Sequence, residues 1–429
     1  MRHTNDVVVI GGGLAGLAAA AYLGRAGRSV ALVEKAHAPG GRAATQESHG
    51  FSLNLGAHAL YRGGAAHRAL RELGVRFSGG APPGSGAFAL DRGVLHTMPY
   101  GALSLLTTGL FGVAEKVEVS RVLGKLASVD AAPLMAVPVS TWLQGAFRSP
   151  AVRRFVSMLI RLSTFCADDA RQSAGAALYQ VQRGVRDGVL YLDGGWRTLV
   201  DGLRDAAVAA GAQILTGARA EQVELQGGEA AGVTLAGGDR IRAGAVLIAA
   251  GPRAAAALVP GSPALARYAE RAVPLRAACL DVALSRLPRP RLNLVLGMDR
   301  PLYLSVHSNV ARLAPEGGGV IHTMQYGPER AGGDAERALE DLLELGQPGY
   351  RDALVERRFL PSLVASNAVV TADGGGFAGR PGVRVPELAG LFVAGDWVGP
   401  EGMLADASLA SARAAAEAIL ARRALEHAA

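Results

Sequence analysis

Gly11, Gly13 and Gly16 hold the G-x-G-x-x-G spacing, and the chemistry that spacing serves is the grip of a pyrophosphate. One glycine tightens the turn, one lets the backbone approach phosphate oxygens, and one lets a helix lie close to a strand. A carboxylate follows at Glu34, placed to accept hydrogen bonds from both hydroxyls of a ribose. An acid there favours a free 2′-hydroxyl, hence FAD or NAD over NADP. In a chain with 57 glycines the spacing alone is weak evidence, so the elements that must position these residues decide. Val7 to Ile10 is an apolar run expected for a parallel strand buried on both faces. The segment from Leu14 to Arg25, with Leu14 and Ala15 in its first turn, is an Ala-rich helix whose N-terminal N–H groups would face the phosphates. Gly27 stops it, and Ser29 to Val33 forms a second strand that delivers Glu34 and Lys35. Strand, glycines, helix, strand and acid in that order predict a dinucleotide site.

A second signature lies near the other end. Leu391 to Asp396 is a short apolar strand closing on Gly395 and an acid, and an Ala-rich helix follows from Met403 to Leu425. Between the two signatures, Ala245 to Ala250 repeats the pattern of apolar strand then glycine, which puts Gly251 near the pyrophosphate. Pro39-Gly40-Gly41-Arg42 extends the first motif. With these residues the chain resembles the FAD-binding flavoprotein superfamily of amine oxidases, protoporphyrinogen oxidases and phytoene desaturases. In look it is nearest to the phytoene, carotene and squalene-associated desaturases. The resemblance implies FAD as cofactor, with Gly41 and Arg42 at its phosphates and Asp396 on its ribityl or phosphate region. It also implies a helix start at Met403 and Leu404 aimed at the flavin's pyrimidine edge, and a backbone contact from Val223 to the adenine. The Gly56-Ala57-His58 turn would lie near the flavin, and Asn54 stands where family members commonly carry an acid.

The fold expected is α/β: a Rossmann-like FAD-binding domain with a parallel sheet of the glutathione-reductase type, and a mixed α+β substrate domain inserted in two excursions. Residues 1–80, 190–274 and 386–429 would form the first; 81–189, with a helical lid, and 275–385 would form the second. Gly50 to Leu55 alternates like a half-buried strand, Phe88 to Leu95 suggests a hairpin around Asp91-Arg92-Gly93, and Ala151 to Ala167 is a helix leading into a loop. Ala212 to Leu225 reads as one strand.

Composition narrows the rest. The net charge is +7, but only Lys35, Lys116 and Lys125 are lysines and the arginines are scattered, so no nucleic-acid partner is expected. Cys166 and Cys279 lack metal-ligand spacing and fit a reducing compartment, which places the protein in the cytoplasm and predicts no metal. Asp6 precedes the apolar N-terminal run and no cleavage signal follows, so a signal peptide is not expected. Leu103, Leu105, Leu106, Leu110 and Phe111 precede Lys116, Arg121 and Lys125. Core, a lid over an apolar tunnel and a peripheral membrane contact all remain open for that stripe.

No acid–base constellation stands out. His58, His307 and His322 read more readily as structural than as reactive, and Ser408 and Ser411 do not form a triad. The catalytic work is expected of the flavin. No lysine follows Lys125 and no tyrosine follows Tyr350, and within the resembling family both absences argue against a typical amine oxidase. The expected function is an FAD-dependent desaturase or dehydrogenase taking a hydride from an apolar small molecule, an isoprenoid or a secondary metabolite. An oxidase of the protoporphyrinogen or amine oxidase type, a flavin-dependent isomerase and a non-redox prenyl-binding protein are the alternatives. Oligomeric state leaves no signal.

Overall fold

A computed structural model describes residues 5–327 and 333–428. Its first sheet has the strand order Gln213–Thr216, Val30–Glu34, Asn5–Ile10, Arg240–Ile248, Glu229–Leu235, Ala220–Gln226, and Leu391–Val393 also pairs with Arg240–Ile248. The five strands around Asn5–Ile10 run parallel. Val7, Val8 and Val9 are wholly buried there, as a strand covered on both faces requires. Helix Leu14–Arg25 packs on the final helix, Leu404–Ala428, and on Arg197–Ala209. Alanines and Gly24 permit the closeness: a Cβ at Gly24 would lie 2.6 Å from the Ala210 carbonyl oxygen.

A second seven-stranded sheet has the order Leu354–Ser366, Leu275–Leu284, Gly319–Tyr326, Leu302–Val306, Leu294–Gly297, Ala87–Asp91, Val94–Thr97. All its pairs are antiparallel except Leu294–Gly297 with Ala87–Asp91. Helices between Ala102 and Asp187 cover one face, centred on Phe155, Met158 and Leu178. Helix Gly333–Gly346 packs against the sheet's central strands through Leu339 and Leu343.

Three expectations are corrected, and one left open is narrowed. The chain after 167 continues into a helix, Ala174–Asp187, opened by Ser173, whose side chain accepts from the Ala176 N–H. The stretch from Ala212 to Leu225 is two strands, because Gly217 takes φ +67° and turns the chain between Gln213–Thr216 and Ala220–Gln226. Phe51–Asn54 is buried at every residue, not on alternate ones, because it pairs with Thr45–Ser48 and lies against the second sheet. The apolar stripe after 102 divides: Leu105, Leu110 and Phe111 are core, whereas Leu103 and Leu106 face solvent.

Candidate functional site

A cavity of about 950 Å³ runs from the carboxyl ends of the parallel strands toward the second sheet. That is the upper range of small-molecule sites, about 300–1,000 Å³. At one end it is lined by Gly11, Gly13, Leu14, Ala15, Glu34 and Lys35. Gly11 sits at φ +109°, where a Cβ would lie 2.7 Å from the Ala249 oxygen. Gly13 opens onto free space and caps helix Leu14–Arg25, so the N-terminal amides of that helix face the cavity. Gly16 does not line it; a Cβ there would lie 1.9 Å from the Gly11 oxygen, so its task is to let helix and turn touch. Glu34 is oriented by its neighbours, Oε2 accepting from the Gly12 N–H (2.6 Å) and Oε1 from the Ala36 N–H (2.8 Å). Each carboxylate oxygen has a further lone pair for a ribose hydroxyl.

Farther in, Gly41, Arg42, Gly251 and Gly395 line the cavity together with Asn367, which the sequence did not single out. Arg42 donates to Asp396 (2.7 Å) and to the Ala365 carbonyl (3.1 Å). Asp396 is 1 % exposed and lies behind the wall; it also accepts from Ser366 Oγ and from the Asn367 backbone and side chain at 2.7–2.9 Å. Burial alone would raise its pKa, but the Arg42 guanidinium and the Asn367 donors hold the carboxyl well below its usual range. Asp396 therefore acts on a ligand through Arg42 and Asn367, which it aims.

The inner end is lined by Ala57, His58, Tyr61, Phe165, Trp196, Met324, Leu363, Leu404 and Asp406. Leu404 begins the final helix at φ +55°, a left-handed conformation that costs a non-glycine residue about 1 kcal/mol or more. Met403 turns away to pack with Ala176 and Val370. Asp406 accepts from the Ala66 N–H (2.8 Å), and its burial lifts the carboxyl pKa to about 6. The His58 Nδ1 bonds the Gly56 carbonyl (3.0 Å); a carbonyl only accepts, so the proton is on Nδ1 and Nε2 is left as an acceptor. Burial lowers the His58 pKa to about 4, so the ring is neutral at physiological pH.

Trp196 was not anticipated as a site residue. Its indole lies 4.8 Å from the His58 ring, and its buried Nε1 has no protein partner. Asn54 positions it: Oδ1 accepts from the Trp196 N–H (2.9 Å) and from Thr45 Oγ1 (2.8 Å). Val223 lies outside this cavity, its side chain packed in the core; the nearby residues that do line it are Ala218 to Glu221, at the start of that strand. His307 and His322 are buried beside the site rather than in its wall. His322 Nδ1 lies 2.7 Å from Asp281, which Arg358 also bonds at 2.8 Å. Arg358 bonds the Asn54 carbonyl, and Asp281 accepts from the Gly56 N–H (3.3 Å). Burial raises the Asp281 pKa, yet His322 and Arg358 pull it below the ordinary carboxylate value. This network fixes the turn that presents Ala57 and His58.

Two helix N-termini, a glycine cradle without Cβ atoms and an oriented ribose acid all open on one cavity, and they fit FAD. Fold and site together define a dinucleotide-binding flavoprotein. The chain belongs to the family of flavin-containing amine oxidoreductases, whose sequence profile matches residues 14–420. It is 28 % identical over 282 residues to the hydroxyneurosporene desaturase of Rubrivivax gelatinosus, covering 57 % of this chain and 53 % of that protein. It is 45 % identical over 74 residues to the phytoene dehydrogenase of Streptomyces griseus, 17 % of this chain and 15 % of that one. The chain thus spans about half or less of the curated relatives it matches. Among solved structures, an oxidoreductase from Methanosarcina mazei superposes with a TM-score of 0.76 at 19 % identity, over 96 % of this chain and 100 % of that one.

Proposed function

We propose that this protein is a desaturase or dehydrogenase that takes a hydride from an apolar substrate of the isoprenoid or secondary-metabolite kind. The observation that carries the reading is the inner wall of the cavity, where Ala57, Tyr61, Phe165, Met324, Leu363 and Leu404 surround a neutral imidazole. Such a wall is mainly apolar and limits water; its one carboxyl, Asp406, is engaged by the Ala66 N–H. The names of the two relatives, a desaturase and a dehydrogenase, point the same way.

Bound FAD supplies the acceptor for the hydride and its electron pair. The chain's residues do the remainder. The positive end of the final helix, beginning at Leu404, favours negative charge at the inner end of the cavity. His58 Nε2 takes the proton from the carbon next to the one that loses hydride, and the electrons of that C–H bond become the new double bond. An imidazole of pKa about 4 is basic enough, because a C–H beside a carbon that has lost hydride is strongly acidic.

Anaerobic mixing of the purified flavoprotein with phytoene in detergent tests the proposal, with putrescine as the polar control. Bleaching of the flavin band by phytoene alone is expected; bleaching by putrescine alone overturns the reading. His58→Phe should keep the flavin yet slow bleaching by about 10²-fold. On readmitting air, recovery within seconds marks oxygen as the acceptor, and slow recovery marks another. A colourless protein that cannot be reconstituted with FAD would favour the non-redox prenyl-binding reading.

A further inference from the structure

Six of the twelve large apolar side chains exposed among the described residues fall between positions 100 and 123: Tyr100, Leu103, Leu106, Val113, Val117 and Leu123. Leu103 and Leu106 are 75 % and 69 % exposed and belong to helix Ala102–Thr107, whereas Val113, at 83 %, opens helix Val113–Lys125. Lys116 Nζ donates to the Leu106 carbonyl (2.6 Å), which sets the end of the first helix over the first turn of the second. Leu103, Leu106, Val113 and Val117 thus project to solvent from two helices joined at that bond.

Along the second helix Val113, Val117, Arg121 and Lys125 recur every four residues and form one stripe, apolar in its first half and basic in its second. The acids of that helix are turned the other way. Glu115 accepts from the Gly112 N–H (2.9 Å) and Ser149 Oγ (2.8 Å), and Glu118 from the backbone N–H groups of Arg148 (2.6 Å) and Ser149 (3.1 Å). Both are half-buried, so the charges this stripe shows to solvent are those of Arg121 and Lys125.

We propose that this two-helix face is a seat on an anionic lipid surface. Leu103, Leu106, Val113 and Val117 enter the boundary between headgroups and acyl chains, and Arg121 and Lys125 meet lipid phosphates. Basic side chains beside apolar ones suit that boundary, because their stems lie in the apolar layer while their charges stay in water. A second copy of this chain fits less well, since two such faces would bring like charges together. Among the described residues no helix is long and apolar enough to cross a membrane, so the contact is peripheral. Leu105, on the inner side of the first helix, and Leu110 and Phe111, in the connection to the second, belong to the core cluster that includes Ala57 and Met324 of the cavity wall. The seat therefore rests on the module that roofs the cavity. The inference stands apart from the redox reading and does not depend on which substrate is used.

Sedimentation of the flavin-loaded protein with vesicles of phosphatidylcholine, alone or mixed with phosphatidylglycerol, tests it. The wild type should pellet with the mixed vesicles and much less with the neutral ones. Leu103→Glu with Leu106→Glu should cut the bound fraction about ten-fold. Arg121→Glu with Lys125→Glu should abolish the preference for phosphatidylglycerol, as high salt does in the wild type. Unchanged flavin absorbance in each variant shows that it is folded and that the redox site is untouched. Wild-type protein that stays in the supernatant with both vesicles overturns the proposal. So do leucine variants that bind as well as wild type, or leucine variants that convert a vesicle-free dimer to a monomer.

Discussion

The two ends of the cavity are built from different materials. At the nucleotide end the ligand meets mainly backbone: the amides at the start of helix Leu14–Arg25, and glycines whose missing Cβ atoms leave room. At the inner end it meets side chains from strands and helices far apart in sequence, among them Tyr61, Phe165, Met324 and Leu363. A backbone cradle admits little variation, because a Cβ at Gly11 or Gly16 would strike a carbonyl and one at Gly13 would take space the ligand needs. A side-chain wall can be recut one residue at a time without disturbing the cradle. Cofactor and substrate recognition are thus separable here, and substitutions can test how cleanly.

The largest effect is expected for Gly16→Val. Its Cβ would lie 1.9 Å from the Gly11 oxygen, and backbone cannot step aside, so the cost should exceed the ~1–3 kcal/mol typical of overpacking. The variant should purify without flavin, if it folds, as its absorption spectrum would show. Next is Asp396→Ala, which leaves Arg42, Ser366 and Asn367 without their shared acceptor. Removing one partner of such a buried pair costs about 3–5 kcal/mol, and titration of apoprotein with FAD should show affinity down by more than about 100-fold.

Asp406→Asn should stabilise. A carboxyl raised to about 6 in the folded protein contributes stability that is complete below its unfolded pKa of about 4. That contribution is lost as pH climbs through about 6. The asparagine variant should therefore melt higher at pH 8, by up to about 3 kcal/mol, and match the wild type below about pH 4. A gain confined to acid would reverse the assignment. The smallest effect is expected for Leu363→Ala, which enlarges the inner cavity. A loss of about 2 kcal/mol or less, an unaltered flavin spectrum and a changed ranking of apolar substrates would sharpen the contrast; loss of flavin would break it.

The same contrast explains what could be read from the sequence. Asn5–Ile10, Leu14–Arg25 and the acid at Glu34 were legible because backbone recognition demands glycines at fixed spacing and an apolar strand before them. The strand ending at Asp396 and the helix after it were legible for a related reason, but not the four donors that face Asp396, since they come from Arg42 and from Ser366–Asn367, two segments remote from each other in sequence. Trp196 escaped notice because its importance depends on Asn54, which is distant in sequence and holds the Trp196 amide. Met324 and Leu363 carry no local mark either: on a buried strand every apolar residue looks alike until the neighbouring strand is known. A signal for Ala174–Asp187 was available in Ser173 followed by a run of strong helix formers. The contact expected of Val223 is one of backbone, which no side chain advertises.

The hydrogen bond from Arg42 to Asp396 joins positions separated by most of the chain, and the strand leading to Asp396 pairs with Arg240–Ile248 beside the first strand. During synthesis the glycine turn precedes Asp396 by most of the chain, so Arg42 has no acceptor there until the strand ending at that residue has emerged. The helix end at Leu404 that closes the inner cavity arrives later still. Tight cofactor capture therefore waits on the strand that ends at Asp396, and a chain stalled before that strand should emerge colourless.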